Sequence, residues 1–268
     1  MALRDGAPSA HPELEPIQPE SPPDDLSGHG HRQLIGVFGL SLPVLLYVVA
    51  AWRPTPGMGR WSPLSSISAY YYSGSIAIFT GILVALALLL VTYRGYANDY
   101  RHVDRAVAVF GGIAAFCVAF FPTVAPFDEL TLAWWTPRTR TMHYAAAAVL
   151  FTTFAVFALV LFPHSDPSKG KLSLRQKLHN PRNWFYYVSG MAIVVCVALT
   201  VIAARRDESI FVPEAFALAF FALSWLTKGR ADRTALALAQ RAMPTMKRRP
   251  PPDSRPSAQE GVPSASPS

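Results

Sequence analysis

The sequence predicts an all-α polytopic membrane bundle of six transmembrane helices with both termini in the cytoplasm. Three observations predict it. The 268 residues are 51% hydrophobic and only 15% charged, where a soluble domain carries about a quarter charged residues. The charges are segregated, leaving six apolar runs near the ~20 residues that a bilayer crossing needs. Nothing alternates in the manner of barrel strands, and a helix is the one single-segment structure that satisfies its own backbone in lipid.

The runs lie at about 33–52, 74–93, 104–121, 142–162, 183–203 and 210–227, within a membrane domain spanning 33–228. The third and sixth are the shortest. Residues 1–32 are rich in Pro, Asp, Glu and Ser, with no apolar core of a leader segment, and are expected to be disordered. Residues 229–268 form a second tail, basic and then rich in Pro and Ser. Within it "TALALAQRAM" fits a short surface helix, and the basic residues suit an anionic membrane surface. In the first run Pro43 removes one backbone hydrogen bond and is expected to kink the helix. Gly81 with Ala85, Gly111 with Ala115, and Ala115 with Ala119 set small residues four apart, a spacing that lets helices approach closely.

Orientation follows from Lys and Arg. With the N-terminus inside, 18 of the 24 basic residues fall in inside segments, and the outside loops keep Arg53, Arg60, Arg138, Arg140, Arg205 and Arg206. The positive-inside rule therefore places both tails in the cytoplasm. Lipid attraction accounts for the net charge of +7 without a nucleic acid partner.

Topology then sorts the polar residues by side. The stretch "SPLSSISAYYYSGS" (62–75) lies outside, before the second run, with Asp128, Glu129, Trp134, Trp135, Arg138 and Arg140 in the next outside loop. His143 opens the fourth run, and Glu214, after Pro213, opens the sixth. An outward-facing polar pocket is expected there. His143 is the natural base near neutral pH, Ser65 or Ser68 a nucleophile, and Glu214 the group that orients the imidazole. Tyr70, Tyr71 and Tyr72 with Arg138 and Arg140 are ligand-binding candidates, since arginine holds phosphate well. The tyrosines and tryptophans also suit an aromatic belt at the headgroups. Pro213-Glu214 is at the same time an ordinary helix start.

Several chemistries are excluded. Cys117 and Cys196 each sit inside an apolar run with no Cys-x-x-Cys or Cys/His spacing, so neither a metal nor a disulfide is expected. Histidines paired within spans for haem, arginine repeats of a voltage sensor, a carbonyl-lined filter and a three-His zinc set are all lacking, and no cofactor is expected. Ser189 lies about 9 Å from the cytoplasmic end of the fifth run and cannot pair with His143 at the opposite surface.

The segments "SSISAYYYSG", "TYRGYANDY", "CVAFFPT", "HYAAAAVLF", "PRNWFYY" and "PEAFALAFFALSWLTKG" resemble, in that order, a group of bacterial six-span membrane proteins of unassigned function. The likeness covers about 33–229. More distantly, the six-helix plan with an Ile-Ser pair before the second span is similar to the damage-regulated autophagy modulator family and its lipid-remodelling relatives. Ala69-Tyr70 stands here where that family's acidic residue is expected. The resemblance implies a bacterial cytoplasmic membrane and marks Ser65, Ser68, Tyr70, His143, Glu214, Trp225 and Lys228 as family-typical. It implies no reaction.

Three functions fit this reading. One is a non-enzymatic protein that binds or senses a lipid headgroup or small polar ligand, with membrane lipids as partners. Another is a lipid-modifying enzyme of acyl transfer or hydrolysis. The third is a small-solute or ion permease, which needs a polar path that the inner halves of the runs do not offer.

Overall fold

Every apolar run forms a helix in the computed structural model, which describes residues 24–53, 59–95, 100–164 and 180–230. In chain order these are α1 (Asp24–Trp52), α2 (Ile76–Val91), α3 (Arg101–Phe120), α4 (Pro137–His164), α5 (Pro181–Arg205) and α6 (Phe211–Lys228). α4 passes through a π turn at Phe157–Leu161 before its last residues. Among the described residues there is no strand.

Local chemistry explains the boundaries. α4 starts at a capping box, in which Thr136 accepts from the Thr139 N–H and Pro137 fills the first turn. α5 starts at Asn180, whose side chain accepts from Arg182 N, followed by Pro181. α5 ends where Asp207 turns left-handed, with φ of 55°, a conformation that aspartate tolerates better than most residues.

Two boundaries differ from the sequence reading. α1 begins at Asp24, so the last part of the tail expected to be disordered is helical. The reason lies in long-range contacts: His31 Nε2 sits 2.6 Å from the Leu89 carbonyl, and Arg32 is buried against Tyr93. The shortest helix is α2, with 16 residues, because Ser73, Gly74 and Ser75 form the turn before it and Thr92 ends it. Its length is about 24 Å at ~1.5 Å per residue. Pro43 lies within a continuous α1. Residues 1–23 and 231–268, including the surface-helix segment, lie outside the described residues.

The helices pack as a closed ring. α1 lies against α2 and α6, α2 against α3, α3 against α4, α4 against α5, and α5 against α6. Small residues set the closest approaches, though not all at the expected places. A Cβ on Gly112 would lie 2.6 Å from Val91 Cγ2 and 2.8 Å from the Ala87 carbonyl oxygen, and one on Gly111 would lie 2.9 Å from Thr153 Oγ1. Gly81 meets nothing within 4 Å and makes no such contact. The interior holds stacked Phe154 and Phe221, with centroids 3.6 Å apart.

The outside of the ring is apolar. Val44, Phe110, Phe120, Val195, Leu199 and Phe216 are all exposed, a girdle that a water-soluble monomer does not carry. Five of the helices are long and apolar enough to cross a membrane, and α2 is a shorter apolar helix. The protein is a multi-pass integral membrane protein.

Antiparallel neighbours give the bundle two ends. Ser68, His143 and Glu214 meet at one, the serine end. The start of α1 and the finish of α6 meet at the other, the basic end, which holds Arg32 and Lys228.

Candidate functional site

The stretch 62–75 is neither a lipid-facing helix nor a free loop. Ser68–Tyr72 is a single 3-10 turn, folded inward and pinned at almost every residue. Ser66 Oγ accepts from the Ala69 N–H at 3.0 Å. Tyr70 is fully buried, packs on the Phe211 ring and accepts from Leu64 N. Tyr72 is buried and donates to the Thr123 carbonyl at 2.7 Å. Tyr71 packs edge-on against Tyr72 and Phe79. Ser73 Oγ donates to the Tyr70 carbonyl and lies 2.7 Å from Ser75 Oγ. Burial pushes the Tyr72 phenol up to about 12, and raises Tyr70 against the opposing effect of the Leu64 N–H.

This pinning aims Ser68 at α4. Ser68 Oγ lies 2.9 Å from His143 Nε2, and His143 Nδ1 lies 2.6 Å from the Phe121 carbonyl oxygen. A carbonyl only accepts, so Nδ1 carries the proton, and in the neutral ring Nε2 accepts from the serine hydroxyl. His143 is 2% exposed, and its ring is held at both nitrogens.

Glu214 is also buried, but it does not orient the imidazole. Its Oε2 accepts from the Ile67 backbone N–H at 2.8 Å, one residue before the serine. Ile210 N and Ser209 Oγ both donate to the Ser65 carbonyl, at 2.7 and 3.3 Å. The first turn of α6 and the residues before it thus clamp the serine loop at 65 and 67. The group that orients His143 is the backbone of Phe121, where α3 ends. Side-chain identity carries no signal for a carbonyl, and this partner was not legible in the sequence.

A cavity of about 560 Å³ opens beside the pair, lined by Ser65, Ser68, His143 and Glu214, with an apolar wall from α4 and α5. The five ligand-binding candidates lie elsewhere. Tyr70, Tyr71 and Tyr72 do not line it and instead frame the serine turn, while Arg138 and Arg140 are exposed away from it. Asp207 and Glu208 do line it. Trp135 is a structural residue, donating to the Thr123 carbonyl at 3.1 Å, and Trp134 is exposed. Among the described residues no cluster suits a metal ion, and Cys117 and Cys196 are free thiols.

The basic end gathers Arg32, Asp104 and Lys228, polar groups whose burial the sequence reading did not anticipate. Arg32 Nε donates to Tyr93 Oη at 3.4 Å, and Asp104 is buried at 2% exposure. Lys228 Nζ donates to the Phe162 carbonyl at 2.8 Å and sits over the Phe162 and Tyr186 rings. Trp225, fully buried, packs against Tyr93, Phe157 and Phe162. One signal was present: Asp104 continues the stripe of Ala108, Gly111, Ala115 and Ala119 on the buried face of α3.

No protein-family model matches the sequence, and no curated protein or solved structure does so either.

Proposed function

We propose that the protein is a membrane-embedded enzyme of acyl transfer or hydrolysis, acting on an ester-linked acyl group of a lipid with Ser68 as nucleophile and His143 as general base. One observation carries this reading: the 2.9 Å Ser68–His143 hydrogen bond, with Nδ1 held by the Phe121 carbonyl, beside an open cavity. Nucleophile and base within hydrogen-bond reach, the base oriented by a third group, is the arrangement that activates a serine.

The steps balance. Ser68 Oγ adds to the ester carbonyl as its proton passes to His143 Nε2. Backbone N–H groups of the serine turn are the nearest class of donor for the oxyanion that forms. Collapse breaks the ester C–O bond, and the leaving alcohol takes the proton from Nε2. Water or a second alcohol then attacks the acyl-serine as its proton passes to His143 Nε2. Collapse breaks the bond between the acyl carbon and Ser68 Oγ, Nε2 returns the proton to Ser68, and the fatty acid or new ester leaves. Glu214 stands outside these steps as a positioning residue, through Ile67.

The same reading places the serine end outside a bacterial cytoplasmic membrane and both termini inside, supported by the distribution of Lys and Arg. An impermeant maleimide should label Asp207→Cys in intact cells, in a background with Cys117 and Cys196 replaced by alanine. Labelling only after lysis overturns the orientation.

The test of the chemistry uses full-length protein in lipid nanodiscs and a small fluorophosphonate probe. We expect an adduct on Ser68, lost in Ser68→Ala and His143→Ala, and release of fatty acid or acyl transfer from bilayer lipid with the same dependence. Lipid retained in the cavity with no adduct and no release overturns the enzymatic reading, and leaves a binder or sensor.

A further inference from the structure

α4 and α5 are close at the basic end, where Gly190 leaves no room for a Cβ against Leu159. Towards the serine end the cavity parts them. Ala147, Ala148 and Phe151 of α4 face Val197, Val201 and Ala204 of α5 across it. Ala148, Val201 and Ala204 are at once lining and exposed, so the cavity breaks the apolar side of the bundle and not only its end. The alanine run of "HYAAAAVLF" thereby acquires a physical role, since larger side chains at 147 and 148 would fill the gap. From His143 to Phe151 the cleft runs about 12 Å along α4 at ~1.5 Å per residue.

Its charge is one-sided. Among the described residues, Asp207, Glu208 and Glu214 line the cavity and no Lys or Arg does, leaving the His143 imidazole as the lone basic group of that lining. Asp207 and Glu208 are exposed at the rim, and the neighbouring Arg205 and Arg206 are exposed but outside the lining.

We infer that the cleft takes an acyl chain of a membrane lipid sideways between α4 and α5, and that this lipid bears an amine in its head group, seated over Asp207 and Glu208. The inference rests on the reading of Ser68 as a nucleophile toward lipid esters, and it supplies the substrate class. The chain passes from one apolar surroundings to another and meets no water, so a lateral opening suits a substrate already in the bilayer. The carboxylates at the rim favour a cationic amine over a purely anionic head group. His143 and Ser68 sit where the apolar wall gives way to the polar rim, between the place of the chain and that of the head group.

The test uses full-length Ser68→Ala protein, which holds lipid without turnover. It is placed in nanodiscs with either phosphatidylethanolamine or phosphatidylglycerol carrying the same diazirine-labelled chain. Illumination should cross-link the chain to α4 and α5 residues of the cleft. Ala148→Phe and Ala204→Phe, on opposite lips and both exposed, should each reduce that yield severalfold, with thermal stability confirming the fold. Phosphatidylethanolamine should be captured up to about fivefold better, the scale of one exposed ion pair, and Asp207→Asn with Glu208→Gln should erase the difference. Cross-links spread over the whole girdle, or unchanged by both phenylalanine variants, overturn the lateral cleft. Equal or better capture of phosphatidylglycerol overturns the head-group assignment. Failure of the enzymatic reading is seen separately, as absence of the fluorophosphonate adduct on wild-type Ser68.

Discussion

Replacing Glu214 with alanine removes the acceptor of the Ile67 N–H, a bond of 2.8 Å to a residue that is 6% exposed. A buried donor left without a partner costs about 1–3 kcal/mol. The loop keeps its two bonds at the Ser65 carbonyl, so the fold survives while the anchor next to Ser68 is lost. The Ser68–His143 separation of 2.9 Å has little slack, because a shift of about 1 Å carries the pair beyond hydrogen-bond range. Misplacement on that scale costs about 10²-fold in rate. Glu214→Ala should therefore slow fluorophosphonate labelling of Ser68 by about that factor while lowering thermal stability only modestly. Glu214→Gln keeps an oxygen acceptor at the same reach and should restore most of the rate. Wild-type labelling in Glu214→Ala, or a Gln variant as slow as the Ala variant, refutes the role of Glu214 as the clamp of the serine turn.

Three further outcomes follow from the geometry. The native state holds the Tyr72 proton up to about 12, against an ordinary value of 10.0. The unfolded chain therefore ionises first, and stability present below pH 10 is lost as pH rises towards 12. Tyr72→Phe should flatten this decline in melting temperature, and an unchanged decline refutes it. Gly112→Ala should destabilise the bundle by about 1–3 kcal/mol through forced separation of α2 and α3, while Gly81→Ala, with open space around it, should not; equal effects in detergent melts would contradict the packing. Trp225 Nε1 is buried without a hydrogen-bond partner among the described residues, so Trp225→Phe should cost, in the same melts, far less than the ~3–5 kcal/mol typical of a large aromatic cut to alanine.

That the serine stretch, His143 and Glu214 share one end was legible, because successive spans run in opposite directions. His143 heads the stripe Ala146, Leu150, Thr153 and Phe154 on the buried face of α4, and Glu214 heads Ala217, Leu218, Phe221 and Trp225 on α6. Their inward direction was not legible, because the lipid-facing side of these helices, with Val149, Val212 and Phe216 exposed, is as apolar as the buried one. Which partner each one meets was not legible. His143 and Glu214 share the serine end as expected, yet one takes the Phe121 carbonyl and the other the Ile67 N–H. Backbone groups are identical at every residue, and no side-chain pattern announces them.

Composition and hydropathy determined the six apolar helices by themselves, because lipid leaves each spanning segment no other way to satisfy its backbone. The alternating direction of successive spans likewise determined that the serine stretch, His143 and Glu214 share one end of the bundle. Tertiary structure alone decided that Ser68, 75 positions before His143, meets its imidazole, that His143 and Glu214 point inward, that three consecutive tyrosines fold into the bundle, and that at the opposite end Arg32 is buried and Lys228 is held by the Phe162 carbonyl. Local spacing sets which way a side chain points on its own helix; what it touches depends on how the ring of helices closes.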